Sequence, residues 1–144
     1  MENNCINFFF EEIEEPVLDY TKIKLWLSSL IDKHQYQLLE VNYILCSDEY
    51  LLKVNKEYLN HDYYTDIITF DNSDQDKELE GDIFVSIDRV KNNSAELQTN
   101  ILEETIRVLA HGILHLCGYK DKTPEDASTM RSEENKAIEL YNNS

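Results

Sequence analysis

The stretch His111-Gly112-Ile113-Leu114-His115-Leu116-Cys117-Gly118-Tyr119-Lys120-Asp121 decides how this chain is read. Its first half has the apolar spacing of a helix. On a helix, residues four apart stand about 40° from each other around the axis, so His111 and His115 project in one direction. Two ligands of one ion need that arrangement, although an HxxxH pair alone is also met as two ordinary helical histidines. The continuation separates the readings. Gly118 follows His111 by seven positions and Asp121 follows it by ten. The same offsets occur in the metzincin pattern H-E-x-x-H-x-x-G-x-x-H. A glycine there can take a left-handed conformation, end the helix and turn the chain back. Asp121 then falls at the third ligand position, giving two imidazoles and one carboxylate, with one coordination position left for water. Cys117, about 200° around the helix from His115, reads as core. Gly112 occupies the place where a zinc peptidase carries its glutamate, which argues against peptide hydrolysis.

Outward from this stretch, Leu102, Ile106, Leu109, Ile113 and Leu116 predict a helix over 99–115. Upstream, Ile6–Phe10, Leu39–Cys46, Thr65–Phe70 and Gly81–Ile87 read as strands, with a polar loop between the last two. Ile23, Trp26, Leu27, Leu30 and Ile31 make a helical stripe that Asp19 or Thr21 can cap. Residues 47–59 and 88–98 read as two more helices, the second capped by Ser86 or Asp88. A last helix begins at Thr123-Pro124 and runs to about Tyr141. The expected fold is α/β (α+β): a single small mixed four-stranded sheet covered by helices, with the metal site at the C-terminal end of a central helix. At 144 residues the chain is expected to form one domain over 1–144.

No apolar run approaches the ~20 residues of a membrane span. The start, Met1–Glu15, has no basic region and turns acidic after a short apolar core, unlike a secretory leader. Cys5, Cys46 and Cys117 are odd in number and far apart, as reduced thiols of a cytoplasmic protein would be. The net charge of −16 opposes a nucleic-acid binder, whose phosphate contacts need Lys and Arg. Its distribution softens that objection. Acidic residues gather at 11–15, 71–82 and 132–135, whereas Thr105–Lys122 holds Arg107, Lys120 and Lys122 against Asp121 alone. Glu104, about 10 Å along the axis from His111, reads as a surface carboxylate. His34 and His61 also read as surface residues.

The segment 111–121 closely resembles the signature H-G-x-L-H-L-x-G-Y-D-H of the YbeY family of bacterial metal-dependent endoribonucleases. Asn55–Phe70 and Glu80–Ile87 resemble two further segments of that family. The resemblance implies one Zn2+ per chain, bound by His111, His115 and Asp121, and cleavage of single-stranded RNA. It further implies a cytoplasmic role in 3′-end maturation of small-subunit (16S) rRNA and in ribosome quality control, with the ribosomal small subunit as partner and neither membrane nor DNA. Two positions depart from the family. Asp121 stands where the third histidine belongs, and Leu59 stands where an arginine is usual. Arg107, Lys120 and Lys122 are therefore the candidate cations for RNA phosphates, with Arg107 one turn before His111. No side chain is singled out as catalytic; the nucleophile would be metal-bound water. The competing readings are a zinc metallopeptidase and a non-catalytic ribosome-associated metal-binding protein. Asp121→Ala is expected to lower zinc stoichiometry by elemental analysis; an undiminished value removes Asp121 from the ligand set.

Overall fold

The computed structural model describes residues 5–144; Met1–Asn4, the start of the segment that does not resemble a leader, lie outside the described residues. Four strands, β1 (Ile6–Glu11), β2 (Gln37–Cys46), β3 (Ile67–Asp71) and β4 (Glu78–Ser86), form one sheet in the order β1-β2-β4-β3. β1, β2 and β4 are parallel, and β3 joins the edge antiparallel to β4. Among the described residues five helices surround the sheet: α1 (Tyr20–Lys33), α2 (Asp48–Leu59), α3 (Ile87–Leu97), α4 (Ile101–Leu116) and α5 (Pro124–Asn142). The α+β expectation and the mixed four-stranded sheet are borne out. Element ends differ from those read in the sequence by one to three residues, where caps decide. Asp19, Ser47, Ser86, Asn100 and Thr123 each accept a backbone N–H in the first turn of the following helix.

Alternation along the strands divides the interior into two layers. Val41, Tyr43 and Leu45 of β2, with Leu79, Ile83 and Val85 of β4, face the main core beneath α1, α4 and α5. Cys46 and Ile68 face the other side, where Leu51 and Val54 of α2 cover them. Buried polar bonds pin the helices. Tyr43 Oη donates to the Leu109 carbonyl at 2.6 Å, and Trp26 Nε1 donates to the Ala137 carbonyl at 2.8 Å.

α4 is central because apolar residues lie nearly all around it, the pattern of a helix enclosed by protein. Ile106, Val108, Leu109, Ala110, Ile113, Leu114 and Leu116 are all buried, but Leu102, expected on the apolar side, is 44% exposed in the first turn. Gly112 packs directly against the sheet. A Cβ added there would stand 2.9 Å from Ile83 Cγ2 of β4 and 3.2 Å from Ile67 Cδ1 of β3. A glutamate at that position would be driven into the sheet. Gly112→Ala is expected to destabilise the protein by about 1–3 kcal/mol through overpacking, read as a lower denaturation midpoint at constant m.

Candidate metal centre

The site is assembled where α4 ends. Cys117 caps the helix, and Gly118 takes φ +99°. The Gly118 N–H bonds back to the His115 carbonyl at 3.0 Å, and the Tyr119 N–H to the Leu114 carbonyl at 3.0 Å. This pair of bonds is a Schellman motif, which a glycine in that conformation permits without strain. The turn brings the Tyr119 carbonyl under the His115 ring, 3.0 Å from Nδ1, and returns Asp121 over both histidines. Tyr36 Oη donates to the Cys117 carbonyl at 2.9 Å and holds the turn from outside. The Cys117 side chain packs against the main core, and burial pushes its thiol up to about 12.

The Asp121 Oδ2 atom lies 3.4 Å from His111 Nε2 and 3.5 Å from His115 Nε2. The ligand atoms of the three residues all fall within 4.8 Å of one another. A tetrahedral ion with bonds of about 2.0–2.1 Å separates its ligands by roughly 3.3 Å, so this group could hold a metal. The two imidazoles are 17% and 26% exposed and Asp121 is 42% exposed, which leaves the outer side of the cluster open to solvent.

The far nitrogen of each imidazole is already engaged. His115 Nδ1 meets the Tyr119 carbonyl, and His111 Nδ1 lies 2.6 Å from Glu134 Oε2 on α5. The other oxygen of Glu134 faces cations, Arg107 Nη1 at 3.1 Å and Arg131 Nη1 at 3.6 Å. Glu134 is 6% exposed. Burial pushes its carboxyl up, but His111 and Arg107 together outweigh burial and hold it below the usual carboxylate range. Burial likewise depresses the His111 imidazole; Glu134, Asp121 and Asp66 outweigh it and leave the ring above its ordinary pKa.

Beside His111 is a cavity of about 260 Å³ whose lining includes Asp66, Glu104, Arg107, Arg131 and Glu134. Glu104 is half-buried at this rim and accepts from Thr99 Oγ1 at 3.1 Å, so it is less open than expected. Lys120 and Lys122 are exposed on either side of Asp121. Arg107 is near His111 as predicted, but its side chain is 15% exposed and paired to Glu134. Leu59 ends α2, 40% exposed, and does not line the cavity. His61 is exposed as expected. His34 is not a surface residue; its ring is 15% exposed between the Leu30 carbonyl and Glu133.

Glu134 is the residue that sequence reading missed, having been counted among the acidic residues of 132–135. A signal was present. On α5, Met130, Ala137, Ile138 and Tyr141 are buried at helical spacing, and Glu134 falls inside that stripe. A carboxylate there needs a buried partner, because an unpaired charge in that position is costly.

The endoribonuclease YbeY family profile matches residues 9–142. An endoribonuclease YbeY of Cytophaga hutchinsonii is 49% identical over 97% of this chain and 98% of its own length. One from Flavobacterium johnsoniae is 53% identical over 81% of this chain and 83% of its own length. A Thermotoga maritima protein solved in solution shares the fold, with a TM-score of 0.65 at 24% identity over 93% of this chain and 88% of its own. On the fold, the three converging ligand atoms and these likenesses, the chain belongs to the YbeY endoribonuclease family.

Proposed function

We propose that this chain, acting as one domain over 1–144, is a zinc-dependent endoribonuclease for single-stranded RNA, with one ion held by His111, His115 and Asp121. The observation that carries the reading is the convergence of both Nε2 atoms on Asp121 Oδ2 while both Nδ1 atoms are held from behind. A bound zinc ion supplies Lewis acidity toward a phosphoryl oxygen and lowers the pKa of water, the two things phosphodiester hydrolysis most needs. The chain supplies position. α4 and its terminal turn set the ligands at an open rim, where a flexible strand has access. Lys120 and Lys122 are the exposed cations for phosphate, whereas Arg107 is turned inward onto Glu134. The aspartate in place of a histidine makes the ligand set one unit more negative, and these lysines offset it locally.

The finer reading follows the family resemblance: the RNA is the 3′ end of small-subunit rRNA, the ribosomal small subunit is the partner, and the compartment is the cytoplasm. No helix among the described residues is long and apolar enough to cross a membrane. A metallopeptidase is disfavoured at Gly112, whose Cβ position is filled by Ile83 and Ile67, leaving no room for the glutamate that peptide hydrolysis uses.

Zinc-loaded protein is expected to cut a labelled single-stranded RNA but neither duplex RNA nor a peptide library. A chelator should abolish cutting, and zinc should restore it. Chelator-sensitive peptide cleavage without RNA cleavage would establish the peptidase instead. Binding to ribosomal small subunits without any RNA cleavage would establish the non-catalytic alternative.

A further inference from the structure

We infer that Glu134 is the positioning residue of the metal centre, fixing His111 as the tautomer that offers Nε2 to the ion, and that Arg107 acts on Glu134 rather than on RNA. The inference rests on the proposed metal site and adds two residues to it.

A neutral imidazole has one N–H and one bare nitrogen, and only the bare nitrogen can bind a metal. At His111 the bare nitrogen must be Nε2, since that atom faces Asp121 and His115. Nδ1 must then carry the proton and donate it. The group 2.6 Å away is a carboxylate oxygen, which when ionised only accepts. Metal-bound histidines commonly donate their second N–H to such a carboxylate, which fixes ring orientation and raises ligand basicity. His115 reaches the same tautomer by another route, donating from Nδ1 to the Tyr119 carbonyl.

Glu134 itself is held in place. Arg107 stands one turn before His111 on α4, and its Nη1 lies on Oε1 while His111 occupies Oε2. The carboxylate therefore bridges two positions of α4 from α5. Arg107 Nε is buried and has no hydrogen-bond partner among the described residues, so the single bond to Glu134 is what orients the guanidinium. An arginine recruited for RNA phosphates would present its fork outward; this one is turned inward and is 15% exposed.

The arrangement makes a specific prediction for Glu134→Gln. Arginine has donors only, so the glutamine carbonyl must turn to Arg107 and its NH2 group must face His111. An NH2 opposite Nδ1 requires that atom to accept, which moves the ring proton to Nε2 and blocks ligation. Arg131 Nη1, 3.6 Å from the same oxygen, is too far for a hydrogen bond and 58% exposed, so removing Arg107 alone frees the amide to turn over. Zinc affinity is read by competition with a chromophoric chelator, and the His111 tautomer by ring 15N shifts of the zinc-free protein. Glu134→Gln should weaken zinc binding about 10–100-fold and change the ring from Nδ1–H to Nε2–H. Adding Arg107→Met to Glu134→Gln should recover most of both. Arg107→Met alone should leave the KM for RNA near that of the parent at saturating zinc.

Glutamine matches glutamate in size, and thermal melts of each variant confirm folding. If the parent takes up zinc and Glu134→Gln matches it in affinity and tautomer, the inference is wrong while the metal site stands. A double variant that binds zinc more weakly than the single one overturns the inference in the same way. If the parent takes up no zinc at all, the proposed metal site falls and this inference with it.

Discussion

The close contact between α4 and the sheet at Gly112 is the constraint on which the rest of the structure depends. With no side chain on that residue, the helix settles against Ile83 and Ile67, and the neighbouring turns bury Leu109, Ile113 and Leu116. Each such side chain contributes about 1.5–3 kcal/mol relative to exposure. Tyr43, donating from β2 to the Leu109 carbonyl, fixes the depth at which the helix lies. The histidines flank Gly112 by one and three positions, so the packing that stabilises the fold also sets the metal ligands in space. A displaced helix would carry His111 away from α5 and the terminal turn away from Tyr36.

Charge near the site is organised by burial rather than by formal sum. Arg107 and Glu134 form a pair with side chains 15% and 7% exposed. Such a pair is weak evidence for net stability, because desolvation cancels much of the attraction, yet removing one partner costs about 3–5 kcal/mol. The pair ties α5 to α4 at the place where the carboxylate meets both a guanidinium and an imidazole. The same docking sends Trp26 of α1 to the Ala137 carbonyl of α5, so three helices share one registration.

An acidic protein acting on RNA must present its few cations where phosphate arrives. The acidic stretch 11–15 lies on β1 and the segment after it. The stretch 71–82 instead reaches the end of α4, where Gly81 packs on Leu116 and Lys77 shares a pocket with Gly118 and Tyr119, and 132–135 places Glu134 on His111. Exposed charges farther apart than about 8 Å are largely screened at physiological ionic strength. The global −16 therefore weighs less on a bound strand than the charges within that distance, among which Lys120 and Lys122 flank Asp121.

Much of the fold and the core of the site were legible in the sequence because they rest on local spacing. Strand and helix periods, the Ser, Asp, Asn and Thr caps, the four-residue step between histidines and the glycine before Asp121 are short-range features whose geometry the backbone imposes. The aspartate in place of a histidine was equally visible. Glu134 and the inward turn of Arg107 were not. Their partners lie 23 and 27 residues apart in the chain, and only the packing of α5 against α4 brings them together. Gly112 shows the same division. The sequence alone marked it as the absence of a peptidase glutamate; the tertiary structure made it a contact surface, because only the sheet beneath α4 reveals that nothing larger fits.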